Sequence, residues 1–192
     1  TYTHRAAKIL KAVGITADTR VVGSVSASVI ISTNRPERLA GALEQALGQS
    51  EVDYEVLVLT HGFHAEDVVD VDGYGAVRFF YAPATESLGS CLNQLVSHAH
   101  GDIVAKMDDD DIYGPYYLHD QINALRFSGA DIVGKQAAYL YLESTNELVL
   151  RKEWNEHSWV ELVLGATLTG WKSVFEAHPF AGLGKREETQ CL

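Results

Sequence analysis

Short β-branched runs alternate with helix-patterned stretches down most of this chain, and that alternation limits its fold more than any other feature. "SASVIIST" (26–33) has the length and composition of a buried strand. It leads into "NRPERLAGALEQALGQ", where Pro36 suits a first helical turn and Leu39, Leu43 and Leu47 recur every four residues. "YEVLVLT" (54–60) and "AVRFFYA" (76–82) are further strands. "TESLGSCLNQLVSHAHG" is a helix with Leu88, Leu92, Leu95 and Ala99 on one side, closed by Gly101. "DIVAKM" (102–107) is the next strand, and "GPYYLHDQINALRFSG" a helix with Pro115 in its first turn and Gly129 as its stop. Strands and helices joined by short connections predict an α/β fold with a mostly parallel central sheet and helices on both faces. From about residue 131 the pattern changes. "DIVGKQAAYLYLESTNELVLRK" reads as a strand and a hairpin turning at Ser144–Asn146, which would add antiparallel strands to the sheet, and 165–178 as a strand running into a helix.

The 192 residues fit one domain, and 46% hydrophobic residues suffice for a substantial core. Residues 4–13 pattern as a short amphipathic helix, so we divide the chain into an N-terminal helix and linker (1–20) and a main domain (21–192). The main domain has a nucleotide-binding half over about 26–130 and a mixed half over about 131–192. A net charge of −11 argues against a nucleic-acid partner, which needs a basic face. The two cysteines, Cys91 and Cys191, form no CxxC pair, so neither a zinc site nor a disulfide framework is expected and a reducing cytoplasm is the default compartment. No stretch reaches the roughly 18 apolar residues of a membrane span, which leaves room for peripheral contact at the inner face of a membrane. The chain begins at Thr1 rather than Met and is expected to be a portion of a longer protein.

Against this background "KMDDDDIYGP" (106–115) stands out. Four adjacent carboxylates repel one another and persist in a fold only where something offsets them. Ligands of open α/β sheets sit beyond the carboxyl ends of the strands, and "DIVAKM" feeds into the aspartates at such an end. The end of the first strand carries Thr33, Asn34 and Arg35 ahead of a helix N-terminus suited to phosphate. Oxygen ligands without sulfur or clustered histidine favour Mg²⁺ or Mn²⁺, held with substrate phosphates. An EF-hand reading fails, because counting from Asp108 the fifth, sixth and twelfth positions are Ile112, Tyr113 and His119. Neither a P-loop nor a GxGxxG sequence occurs. The competing reading is a solvated acidic turn that caps the next helix.

Taken together, "SVIISTNRPERLAGALEQALGQ", "YEVLVLTHG", "ESLGSCLNQLVSHAHGDIVAKMDDDD" and "GATLTGWKSVFEAHPFAGLGKREETQCL" resemble, in that order, a family 2 glycosyltransferase of the GT-A fold over roughly residues 27–192. The resemblance implies a nucleotide-diphosphate sugar donor, transfer to an acceptor hydroxyl with inversion, and a divalent cation neutralising the leaving diphosphate. It makes Asp108 and Asp110 the Asp-x-Asp pair, with Asp110 on the metal and Asp108 nearer the ribose; Asp109 or Asp111 could substitute by a one-residue shift. It maps the family's acidic pair to Glu187 and Glu188, with Glu188 as general base where aspartate is usual. The family's acidic pair at the second strand end is replaced by Thr60 and His61, which leaves UDP, GDP and dTDP sugars all open. Nucleoside contacts are then expected from Thr33, Arg35 and the segment around Ser87 and Asn93. Arg35 and Lys106 are candidates for pairing with phosphate or with the acidic cluster.

Of Trp154, Trp159 and Trp171, the last is the best candidate for stacking on an acceptor sugar, although a core position is the commoner one for an aromatic. The histidines at 61 and 64, and at 98 and 100, lack a third ligand and read as loop or helix-end residues. The acceptor class stays open among polysaccharide, lipid-linked sugar and other hydroxyl compounds. Two other functions compete: a non-catalytic module that binds nucleotide sugar or a partner chain, and a sugar-phosphate nucleotidyltransferase. The second lacks the basic glycine-rich loop such chemistry uses.

Overall fold

A computed structural model describes residues 9, 11–14, 25–151, 154 and 156–182. Of the expected helix over 4–13, Ile9, Lys11 and Ala12 are helical, and the remainder lies outside the described residues, as does the boundary placed at residue 20. The alternating pattern is realised as β1 (Ala27–Thr33), α1 (Leu39–Leu47), β2 (Tyr54–His61), β3 (Val77–Ala82), α2 (Leu88–His98), β4 (Ile103–Lys106) and α3 (Tyr117–Ser128). Then come β5 (Ile132–Val133), β6 (Ala138–Leu142), β7 (Glu147–Arg151), β8 (Thr169–Trp171) and α4 (Lys172–Ala177). Pro36 opens a 3₁₀ turn, Pro36–Arg38, that leads into α1. Pro115 lies in the turn before α3, whose N-cap is Tyr116.

Six strands form the main sheet in the order β3-β2-β1-β4-β8-β5. β1 pairs in parallel with β2 and β4, and β2 with β3. β8 runs antiparallel to both β4 and β5. From β1 the chain moves outward to β2 and β3, and α2 then carries it back to β4 on the other side of β1. The strand order therefore reverses between β1 and β4, which opens a crevice beyond their carboxyl ends.

Helices cover both faces, as the uninterrupted apolar runs of β1 and β2 demand. On one face α1 and α3 pack Leu39, Leu43, Leu118 and Leu125 against Val29, Ile31 and Val58. On the other, α2 and α4 pack Cys91, Leu92, Leu95 and Phe175 against Ile30, Leu57 and Val104. In α1 the four-residue row drifts around the axis, so Leu39 and Leu43 are buried while Leu47 is 37% exposed and Ala46 takes the inward position.

Two expectations are corrected here. β6 and β7 form a separate two-stranded sheet instead of joining the main one; β8 supplies the antiparallel addition. Gly101 does not act as a helix stop. α2 ends at His98, and Gly101 is buried where a Cβ would lie 2.6 Å from the β1 backbone at Ala27 and Ser28. Gly129 does end α3, in the left-handed conformation at φ +68°.

Candidate active site at the reversal of strand order

β1 ends in Thr33 and β4 runs on through Met107 into the aspartates, so adjacent parallel strands deliver both sets of polar residues to one crevice. Asp109 turns inward: its side chain is 4% exposed, accepts a hydrogen bond from Thr33 Oγ1 and is gripped by the Arg35 guanidinium through Nε (3.1 Å) and Nη2. Arg35 also donates from Nη1 to Asp110 Oδ2 at 2.8 Å. These bonds, Asp109 first, strengthen the hold of Arg35 on its proton. The same contact holds the carboxyl of Asp110 below the usual range. Lys106, buried on β4, donates from Nζ to Asp108 Oδ1 at 2.5 Å and to the carbonyl of Gly165 at 3.2 Å.

Asp108, Asp110 and Asp111 each offer a carboxylate oxygen, and the three oxygens lie within 4.8 Å of one another. Among the described residues Asp109 and Asp110 form ion pairs with Arg35, and Asp108 with Lys106. Partial desolvation and the charges of Asp108 and Asp110 push the Asp111 carboxyl up. Three hard oxygen donors this close together suit a hard divalent cation, so these residues fit Mg²⁺ or Mn²⁺.

The loop bearing the aspartates is held from two sides by residues whose function the sequence did not disclose. The Tyr113 hydroxyl, buried and with its pKa raised by that burial, accepts from the Asp108 N–H (2.8 Å) and donates to the Ala166 carbonyl (2.7 Å). From α1, Gln45 Oε1 accepts from the Tyr113 N–H (3.1 Å), and Gln49, just beyond that helix, bridges the Gly114 carbonyl and the Leu118 N–H. Their only sequence-level signal is the spacing of four that places both on one side of a helix.

Other expected residues are placed elsewhere. Both ends of the Asn93 amide are taken by the Phe180 backbone, at 2.8 Å each, so Asn93 ties α2 to the segment after α4. Ser87 caps α2 by accepting from the Ser90 N–H at 3.1 Å. Trp171 takes the core-packing position. Because β8 runs antiparallel to β4, Trp171 sits opposite Ile103 at the end of the sheet remote from the aspartates and packs against the α1/α3 core. Thr60 is buried with its hydroxyl on the Phe80 carbonyl, and His61 has a buried Nε2 with no hydrogen-bond partner among the described residues. His64 stacks on Tyr81, and His98 on Phe80. Glu187 and Glu188 lie outside the described residues.

A mostly parallel sheet with a carboxylate cluster at its reversal of strand order defines the class: an α/β protein with an acidic crevice where such sheets bind their ligands. The sequence matches Glycosyl transferase family 2 over residues 28–186, and the chain belongs to that family. No curated protein matches it. Among solved structures, residues 1–349 of S. aureus TarS align with a TM-score of 0.63 at 17% identity, over 85% of this chain and 53% of that one. TarS in complex with UDP-GlcNAc gives 0.62 at 17%, over 86% and 52%. The mannosyltransferase PcManGT from Pyrobaculum calidifontis, in complex with GDP-Man and Mn²⁺, gives 0.65 at 15%, over 86% and 50%. The chain thus spans about half the length of these structures, which share its GT-A fold. No helix among the described residues is long and apolar enough to cross a membrane.

Proposed function

We propose that this domain moves a sugar from a nucleotide-diphosphate donor to an acceptor hydroxyl, with inversion at the anomeric carbon and with a divalent cation at the donor diphosphate. The observation that carries this reading is the three-carboxylate cluster, Asp108, Asp110 and Asp111, gathered at the reversal of strand order. Asp108, Asp110 and Asp111 would hold the cation. When bound, it neutralises charge developing on the departing diphosphate.

The chain's own groups account for the remaining requirements. Arg35, anchored by Asp109, fixes the orientation of Asp110 and presents a cation at the crevice mouth. Lys106 and Tyr113 fix Asp108 through its side chain and its N–H. Thr33 and Arg35, at the end of β1, are assigned to the nucleoside. Glu188 is assigned as the base that takes the acceptor proton, with Glu187 beside it, on the family's acidic pair. Since the similar structures hold a UDP sugar in one case and a GDP sugar in the other, both donor classes enter the test.

Titration calorimetry of the chain with UDP and with GDP, each with and without Mn²⁺, should give binding of one nucleotide that requires the metal. Asp110→Ala should abolish that binding while leaving the thermal transition cooperative. Metal-dependent binding that survives Asp110→Ala would sink the assignment. Binding without donor cleavage in the presence of any acceptor would instead favour a non-catalytic module.

A further inference from the structure

The β6–β7 hairpin is an anomaly on energetic grounds. An isolated two-stranded hairpin is marginally stable in water, and a third strand or a covering helix is normally needed. This one pairs with no other strand among the described residues, yet most of its strand positions are apolar and exposed, including Tyr139 (67%) and Leu148 (64%). Tyr139 and Tyr141 share one side with Leu148 and Leu150, and Leu140 shares the other with Val149. The outer edge of β7 therefore presents unpaired backbone groups flanked by apolar side chains, an arrangement that soluble proteins ordinarily blunt.

The sequence of β7 indicates what covers it. Read against itself in antiparallel fashion, Glu147-Leu148-Val149-Leu150-Arg151 is self-complementary about Val149. Glu147 falls opposite Arg151 of a second copy, Leu148 opposite Leu150, and Val149 opposite Val149. Neither Glu147 nor Arg151 makes an ion pair within the chain among the described residues. A two-fold axis through Val149 gives every charge an opposite partner and every apolar residue an apolar neighbour, as an isologous contact requires. We propose that two copies of this chain associate by antiparallel pairing of their β7 strands, making a four-stranded sheet in the order β6-β7-β7-β6.

The pairing bears on the site. β5 runs parallel to β4, so the chain that enters the hairpin leaves the sheet at the end where the aspartates lie. The returning segment supplies the Gly165 and Ala166 carbonyls that hold Lys106 and Tyr113. Association through β7 would steady an insertion whose base forms one wall of the crevice.

Sedimentation equilibrium of the full chain should show a monomer–dimer equilibrium. Glu147→Arg and Arg151→Glu should each weaken it on the order of tenfold, since either places two like-charge pairs across the axis. The double reversal restores both pairs and should bring the dissociation constant back near the wild-type value, which also shows that the hairpin still folds. In a background lacking Cys191, Val149→Cys should oxidise to a covalent dimer faster than Leu148→Cys, because only position 149 faces its own copy, about 4.5–5.5 Å away between Cα atoms. A monomeric wild type at every concentration would overturn the proposal and assign the face to an acceptor or to another chain. So would single reversals that change nothing, a double reversal that fails to rescue, or equal oxidation at 148 and 149.

Discussion

Adjacent identical residues in the aspartate run have different fates because each meets a different neighbour. Asp109 is buried against Arg35 and Thr33, Asp108 is tied to Lys106, and Asp110 shares Arg35. Asp111 has mainly carboxylates close by to set its charge, with Lys106 as the opposing influence. A carboxyl whose folded pKa is raised favours folding in its protonated form. That contribution is present at acid pH and is lost as pH rises through the raised value. In the metal-free protein, Asp111→Asn should therefore melt above the wild type at neutral pH, and the difference should vanish on acidification as Asp111 takes up its proton. Thermal melts across pH in EDTA check this. A lower melting temperature for Asp111→Asn than for wild type at neutral pH would show that the cluster is not strained by its own charge. Adding Mn²⁺ should raise the wild type and leave the variant behind, because the variant has one ligand fewer.

At the level of elements, two glycines serve different physical ends. Gly129 closes α3 at φ +68° with open space around the position of a Cβ, so replacement by alanine should cost about 1 kcal/mol through backbone conformation alone. Gly101 has the opposite problem. Its backbone lies against β1, its N–H donates to Ser28 Oγ at 2.9 Å, and an added Cβ would meet main-chain atoms that cannot rotate away. Gly101→Ala should cost about 2–4 kcal/mol by overpacking, more than Gly129→Ala. Urea denaturation of both variants checks the order. Equal losses would mean that β1 and the α2–β4 connection can separate at little expense. Because β1 also carries Thr33, the Gly101 variant should weaken nucleotide binding as well, whereas the Gly129 variant should not.

For the molecule as a whole, the carboxylate cluster at the crevice links stability to ligands. A ligand that binds only the folded chain stabilises it by about 2.7 kcal/mol at a hundredfold excess over its dissociation constant. The preferred nucleoside diphosphate and Mn²⁺ should together raise the melting temperature by more than the sum of their separate effects, because the metal offsets both the carboxylates and the diphosphate. Differential scanning calorimetry with each ligand alone and with both checks this. Simple additivity would place the nucleotide away from the aspartates.

The sequence by itself determined the layers, the strand and helix segments, and the strand end that carries the acidic cluster. Those follow from local periodicity and from where charge can be tolerated, which neighbours along the chain reveal. Its family motifs also led to the family that the match over residues 28–186 establishes. Only the tertiary structure decided which aspartates face outward: Asp109 and Asp110 both meet Arg35, which precedes them by 74 and 75 positions in the chain, but only Asp109 also meets Thr33 and is buried. It also decided that Asn93 holds Phe180, that Tyr113 and Gln49 clamp the loop, and that the antiparallel course of β8 carries Trp171 to the far end of the sheet. These are contacts between residues distant in sequence, and no periodicity records them. The hairpin shows both sides of the division: its turn was readable from composition, but its separation from the main sheet depends on β8 taking the place between β4 and β5.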